Sequence, residues 1–280
     1  MQRTTALREA SEKHPDILGK AVRIEFWIAR SVHSLVYRML VLNTGQVPWT
    51  LSRQLSVVYR SLISEISENV TNLSRVIEED DSGRRVNAGE FKASILVELY
   101  LSFSSRKSKL DSKQAVSEQF AQLDFVENLS RHEFQEQFYS ALTYMVKLDK
   151  EFDRYLPDEP GVGRFKRGRN IFDSNPARIG FIVAFGQYVL GRAGTTRGIE
   201  EQEKRLNDIS KKLEQMIKKI SSISKEELGV FLNLDMLQQS LEVRSGKVGE
   251  FERTFFEKAF SVLIDLNSEL DSMEPCWRAY

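Results

Sequence analysis

Residues 131–155, RHEFQEQFYSALTYMVKLDKEFDRY, contain the apolar spacing that decides the fold. Apolar side chains recur there at intervals of three or four positions: Phe134, Phe138, Leu142, Met145, Leu148, Phe152 and Tyr155. Because an α-helix has 3.6 residues per turn, this spacing puts them on one face. The stretch therefore predicts a long amphipathic helix, which Pro157 ends.

Similar spacing continues through most of the chain after Thr50. Predicted helices cover residues 51–76, 88–103, 111–128, 131–155, 177–192, 196–223, 225–243 and 247–272. We find almost no strand pattern among them, and six prolines in 280 residues break few helices. We predict a helical domain over residues 50–280, with a loop break at 157–176 that holds three prolines and three glycines.

The first 49 residues have a different character. Residues 21–29 (AVRIEFWIA) alternate apolar and polar positions over Val22 to Ile28. Period two with β-branched and aromatic residues predicts a half-buried strand, although a helix there stays open. The fold class is therefore predicted as mainly α: a multi-helix bundle with a small α/β remnant of one or two strands at the N-terminus, residues 1–49.

Composition narrows the functional classes. The formal net charge is +0, so any binding to nucleic acid must come from a local patch of charge. The single cysteine, Cys276, excludes an internal disulfide and favours a reducing, cytoplasmic compartment. The longest apolar run, residues 179–190, is too short to span a bilayer, so no membrane partner is expected. The polar first residues predict no signal peptide.

Two short segments near the N-terminus are candidate phosphate sites, the first from its own side chains and the second only through a family resemblance that the two segments share. Residues 2–7 (QRTTAL) place amide, guanidinium and hydroxyl groups at a predicted helix start, where the helix dipole adds positive charge. Residues 42–48 (LNTGQVP) follow another predicted helix. The candidate phosphate-binding residues in these segments are Gln2, Arg3, Thr4, Asn43, Thr44 and Gln46.

Together with the strand at 22–28, these segments resemble the DGQQR-type members of the ParB-like nuclease superfamily. The resemblance covers about the first 60 residues, and it implies a ParB/sulfiredoxin-like fold with the motif at a loop-to-helix junction. It also implies a nuclease or nucleotide-hydrolysing component of bacterial restriction or phage defence.

The chain departs from the family pattern in two ways. Only Met1 stands before Gln2, so the Asp-Gly of the motif is missing, and so are the upstream strands. We therefore expect the chain to start inside the motif and not to be catalytic alone, since the family's Asp is the residue expected to handle a metal or a proton. A helix start that happens to contain Arg and Thr is the alternative interpretation.

A basic loop is the second candidate for nucleic-acid contact. Its cationic residues are Arg164, Lys166, Arg167 and Arg169. Phe165 lies among them and could stack on a base, and Arg178 follows on the next helix. Alternatively, the loop is solvated and its arginines pair with Asp158, Glu159 and Asp173.

Other residues carry weaker signals. The histidines lack ligand spacing, so no metal site is predicted, and Cys276, in a tail expected to fray, has no base nearby in sequence. Gly180 and Gly186 are expected to let other helices approach closely. The charged helix at 196–223 is predicted as an outer helix of the bundle, with a partner-binding or dimerisation helix as the alternative.

Two classes of function remain. The first is a DNA-associated component whose partner is DNA or a nucleotide, with the cofactor left unknown. The second is a helical protein–protein interaction or scaffold protein without nucleic-acid activity. An enzyme built into the bundle core has little support, because no cluster of acids or histidines recurs at helical spacing.

Overall fold

The computed structural model describes residues 12–14, 60–77, 88–109, 132–155, 170–242, 248–266 and 269–279. Helices in these ranges are α1 (Arg60–Asn69), α2 (Ala93–Ser105), α3 (His132–Asp153), α4 (Asn175–Leu190), α5 (Ile199–Ser222), α6 (Lys225–Leu232), α7 (Leu234–Glu242), α8 (Val248–Leu266) and α9 (Glu274–Trp277). Two strands, β1 (Arg75–Ile77) and β2 (Glu90–Lys92), and a 3-10 turn at Ile171–Asp173 complete them. The mainly helical fold with a small two-stranded element is confirmed.

Helix α4 lies at the centre of the described bundle. Its residues are apolar on nearly every side, and α8, α2, α3 and α5 all pack against it. An all-round apolar helix must be covered on several faces, which requires this multi-helix arrangement. The salt bridge between Arg253 on α8 and Glu98 on α2, 2.8 Å long, joins two of the covering helices.

Helix α3 confirms the prediction from residues 131–155. Its spaced apolar side chains are buried from Phe138 to Phe152. Phe152 stacks on Phe172 with ring centroids 5.8 Å apart, and Phe172 stacks on Phe260 of α8 at 5.5 Å. An aromatic column therefore connects α3 to α8 through the 3-10 turn that precedes α4.

The small sheet does not lie where the sequence predicted it. β1 and β2 pair in parallel, with Arg75 opposite Glu90 and Ile77 opposite Lys92. Both lie in the segment predicted to be free of strands, whereas the predicted strand at 21–29 lies outside the described residues. Strands of three residues are too short to show the period-two pattern on which the prediction depends.

Two predicted helix ends near the sheet were also wrong. The helix predicted to reach residue 76 ends at Asn69, because Asn72 has a left-handed backbone (φ 68°) that stops helical hydrogen bonding. The helix predicted from residue 88 begins at Ala93. Gly89 precedes it with φ 79°, and glycine permits this turn into β2.

Four further predictions of where helices begin or end need correction. The segment 157–176 was predicted as a loop break, but it includes the 3-10 turn at Ile171–Asp173. A capping box between Asn170 and Asp173 stabilises this turn. The helix predicted over 225–243 is two helices, since Asn233 is left-handed at φ 47°. Within the predicted helix 247–272, α8 ends at Leu266. Pro275 does not end regular structure but lies in the first turn of α9, where its missing N–H costs nothing.

Helix α5 confirms the predicted outer helix. Its buried face consists of Ile209, Leu213, Met216, Ile217 and Ile220. Ion pairs at i,i+4 spacing, Glu201 with Arg205 and Asp208 with Lys212, flank this face at its edge. Of the parts of the chain that the structure describes, no helix combines the length and the apolar character needed to cross a membrane.

Candidate anion-binding groove

The candidate phosphate residues from the sequence lie outside the described residues. They are Gln2, Arg3, Thr4, Asn43, Thr44, Gln46, Arg164, Lys166, Arg167 and Arg169. The helix predicted over 111–128 lies outside them as well.

Arg178 was expected to extend the basic loop and does not. Its side chain is only 4% exposed and its Nε donates to the carbonyl of Phe172. Its guanidinium lies 4.6 Å from the centre of the Phe91 ring. Arg178 therefore joins α4 to β2 and to the 3-10 turn inside the protein, where nucleic acid cannot reach it. Asp173, offered as a partner for the loop arginines, accepts from the backbone N–H of Asn170 at 3.0 Å.

A groove elsewhere on the described surface carries the positive charge that was predicted for a phosphate-binding site. It has a volume of about 710 Å³ and lies between the turn after α2, the turn after α4 and the middle of α8. Its cationic lining residues are Arg106, Lys107, Lys109, Arg192 and Lys258. Glu257 is the one acidic residue among the described residues that line it. We call this site the basic groove.

The accessible cations of the basic groove come from separate parts of the chain. Lys107, Lys109, Arg192 and Lys258 are all exposed. Within the described ranges, neither Lys107 nor Arg192 has a carboxylate within salt-bridge distance. Part of this charge offsets the negative ends of α2 and α4, whose last residues adjoin the groove. The exposed side chains of Lys107 and Arg192 are open to an anion from solvent.

Arg106 has a structural role at the edge of the groove. It ends α2 in a left-handed conformation, and its Nη1 donates to the carbonyl of Thr195 at 2.7 Å and to Thr196 Oγ1 at 3.3 Å. Its Nε is buried without a hydrogen-bond partner. Partial burial lowers the pKa of the Arg106 guanidinium. The turn after α4 is therefore held against the end of α2.

A second arginine secures the same turn from the other side. Arg197 Nη1 donates to the carbonyl of Gln187 at 2.9 Å, and its backbone N–H donates to the carbonyl of Leu190. Gly191 begins the turn at φ 102°, with Thr195 too close to leave space for a side chain. These contacts fix the backbone on which Arg192 stands.

The side-chain amide of Gln187 ties the three walls of the groove together. Its Nε2 donates to the carbonyl of Arg106 at 3.0 Å and to Glu257 Oε1 at 2.8 Å. One amide from α4 thus contacts the end of α2 and the middle of α8. Lys258 lies on α8, and the other described cations of the groove lie on turns that hydrogen bonds hold against the helices.

Other polar clusters among the described residues serve packing. Asp149 is fully buried, and its carboxylate accepts from the N–H of Gly89 at 2.9 Å and from Asn170 Nδ2 at 2.8 Å. It joins α3 to the turn before β2 and to the 3-10 turn. Over the described ranges, no group of three or more His, Cys, Asp or Glu side chains is placed to hold a metal ion.

Cys276 is buried in α9, not in a frayed tail. Burial raises the pKa of its thiol to about 12, so almost no thiolate forms at neutral pH. A nucleophilic cysteine needs the thiolate, which agrees with the expectation that Cys276 is not a nucleophile.

No family model matches the chain, and neither the curated proteins nor the solved structures contain a match to it. The resemblance to DGQQR-type proteins therefore stays a prediction from residues in the first part of the chain.

Little in the sequence indicated the basic groove. Its cations stand at 106–109, at 192 and at 258, and only helix packing brings these positions together. The one local signal was the short run Arg106 to Lys109 directly after an apolar helix. Basic residues there also suit a helix end, so the run alone did not indicate a site.

Proposed function

We propose that this chain is a DNA-associated component whose helical body contacts the phosphate backbone through the basic groove. The observation that carries the proposal is the charge of that groove. Among the described residues that line it, five are cationic and one carries a carboxylate, in a chain with a formal net charge of +0. Charge concentrated in one concave place attracts a polyanion even where the whole molecule does not.

The chemistry of the groove fits phosphates. Lysine and arginine side chains on fixed backbone contact phosphate oxygens, and most of the affinity of such contacts comes from counterion release. The exposed positions of Lys107, Arg192 and Lys258 permit these contacts. The cations that line the groove repel a metal cation and favour an anion.

The N-terminal resemblance supports the same class of function. It implies a component of bacterial restriction or phage defence acting on DNA in the cytoplasm. We propose binding and positioning of DNA by the helical body, with catalysis dependent on another component. Gln2, Arg3 and the 164–169 loop would then add phosphate contacts to those of the groove.

The test is salt-dependent DNA binding by a charge-reversed groove. The variant Lys107→Glu, Arg192→Glu and Lys258→Glu changes three cations, and fluorescence anisotropy measures its affinity for a duplex of arbitrary sequence across a range of NaCl. Each phosphate contact contributes about −0.9 to the slope of log K against log salt. The negative slope should therefore become shallower by roughly 2 to 3 in the variant. Affinity should fall at least about tenfold at low salt and equally for different sequences.

The matched control reverses three exposed lysines of α5, Lys204→Glu, Lys211→Glu and Lys218→Glu. It makes nearly the same change in net charge on another surface. If both triple variants reduce binding equally, net charge and not the groove governs affinity. Wild-type protein that fails to bind DNA at low salt would contradict the proposal and leave the helical interaction or scaffold protein as the better interpretation.

A further inference from the structure

The position of Glu257 in the basic groove is unexpected on electrostatic grounds. A carboxylate among cations repels the phosphates that those cations attract. Glu257 nonetheless lines the groove and is half-buried on α8, beside the exposed Lys258. A side chain that opposes the proposed ligand's charge needs another role.

Gln187 holds the carboxylate in place. The Gln187 Nε2 group donates to Glu257 Oε1 at 2.8 Å and also to the carbonyl of Arg106. An ionised carboxylate accepts about four hydrogen bonds through its two oxygens. Gln187 supplies one donor to Oε1, and no other described residue donates to the Glu257 carboxylate. The site therefore presents an oriented acceptor with unused capacity next to exposed cations.

We propose that Glu257 accepts a hydrogen bond from the amino group of a nucleic-acid base while the groove's cations hold the neighbouring phosphates. This inference rests on the proposed function. It adds that the groove distinguishes bases and does not bind the backbone alone. A carboxylate is the side chain that accepts from the N4 amino group of cytosine, whereas thymine presents a carbonyl oxygen at that position, which a carboxylate repels.

The size of the groove agrees with a ligand of this chemistry. A volume of about 710 Å³ lies in the range of sites for compact ligands, which is roughly 300 to 1,000 Å³. A base with its phosphate has that scale. The same chemistry could come from a strand or from a free nucleotide, and the test separates them.

The experiment compares oligodeoxycytidylate with oligodeoxythymidylate of equal length at mildly alkaline pH, where cytosine is unprotonated. Both strands carry the same phosphate charge, so the cations alone cannot distinguish them. Wild-type protein should bind the cytosine strand at least about fivefold more tightly by anisotropy. Equal binding of the two strands would overturn the role of Glu257.

The variant Glu257→Gln then tests the residue. Its amide oxygen can still accept from Gln187, which leaves an N–H₂ donor toward the ligand. Affinity for the thymine strand should rise more than affinity for the cytosine strand, so the preference should disappear or reverse. An equal rise for both strands would mean that Glu257 acts only through its charge, and that outcome overturns the inference.

Two further variants separate charge from position. Glu203→Gln removes one negative charge from an exposed site on α5 and should leave the preference intact. Glu257→Asp keeps the charge but withdraws the acceptor, so it should reduce the preference while changing the mean affinity little. Retention of the full preference in Glu257→Asp would contradict the proposed contact.

Competition experiments identify the source of the base. Displacement of the labelled strand by dCMP at lower concentration than by dTMP supports the same contact with a free nucleotide. Equal competition by the two nucleotides counts against base reading. Failure of the proposed function would appear as the absence of salt-dependent binding to both strands. Failure of the base contact alone would appear as the absence of a difference between the two strands.

Discussion

Gly180 on α4 and Phe256 on α8 approach so closely that a Cβ added to Gly180 would lie 2.6 Å from the Cβ and the carbonyl carbon of Phe256. The backbones of the two helices thus pack closely at the centre of the bundle. Gly186, nearly two turns further along α4, also faces a neighbouring helix. A Cβ added to Gly186 would lie 3.1 Å from a ring carbon of Phe103 on α2. Both contacts confirm that these glycines admit neighbouring helices.

We expect Gly180→Ala to reduce the free energy of unfolding by up to about 2 kcal/mol. Alanine improves helix propensity by about 1 kcal/mol, but the added methyl group meets backbone atoms that cannot move independently, and overpacking typically costs about 1 to 3 kcal/mol. Urea denaturation measures the difference. Gly186→Ala is the matched control: its nearest neighbour is the edge of a ring, so it should be close to neutral. Equal loss in the two variants would contradict this account.

These two glycines also show what the sequence could reveal. They interrupt an apolar run in which every side of the helix is buried, and close helix approach follows from that pattern. The amphipathic faces of α3 and α5 were predictable for the same reason. Each spans several turns, so the period of apolar positions is evident.

The local structure that was missed depends on short or single-residue signals. β1 and β2 have three residues each, and their pairing joins positions separated by a connection at 78–89. Asn72 and Asn233 end helices through left-handed backbones that the apolar period does not reveal. The basic groove was missed because tertiary packing assembles it. The predicted phosphate residues of the N-terminus and of the 164–169 loop remain predictions.

The buried carboxylate of Asp149 should be essential for stability. Asp149→Asn replaces one acceptor with an N–H₂ group that faces donors from Gly89 or Asn170. A buried donor left unsatisfied costs about 1 to 3 kcal/mol, and we expect a loss in that range by urea denaturation. Lys150→Gln, an exposed neighbour on the same helix, should change stability by less than about 0.5 kcal/mol. Asp149→Asn as stable as Lys150→Gln would contradict the role of this carboxylate.

Trp277 should secure the end of α6. Its indole Nε1 donates to the carbonyl of Leu232 at 2.8 Å, and the backbone N–H of Met273 donates to the carbonyl of Phe231 at 2.7 Å. Carbonyls in the last turn of a helix have no partner within it, so Trp277 of α9 and Met273, which precedes α9, satisfy two of those in α6. Trp277→Phe keeps an aromatic ring but loses the donor, and we expect a loss of about 1 to 3 kcal/mol.

The control for Trp277 is its exposed neighbour. Arg278→Gln removes a surface ion pair with Glu274, and such pairs contribute little, so thermal unfolding should change slightly. Amide exchange in α6 should accelerate in Trp277→Phe and not in Arg278→Gln. Unchanged exchange in both variants would show that α9 does not support α6.

The thiol of Cys276 should resist alkylation in the native protein. Burial raises its pKa from 9.0 to about 12, so the reactive thiolate is scarce and the sulfur is covered. Since Cys276 is the only cysteine, iodoacetamide incorporation measured by mass spectrometry reports on this one group. Native protein at neutral pH should remain unmodified, while protein unfolded in urea should react fully. Alkylation of both at one rate would show that α9 does not bury the thiol.

The same shift predicts how stability depends on pH. Because the folded state holds the proton to a higher pH than the unfolded state, the contribution of Cys276 is complete below about pH 9 and falls as the pH rises from 9.0 toward 12. The difference in unfolding free energy between wild type and Cys276→Ala should therefore shrink by about 1 kcal/mol per pH unit above pH 9. Denaturation at neutral pH and at pH 10 measures it, and a difference that stays constant would contradict the burial of the neutral thiol.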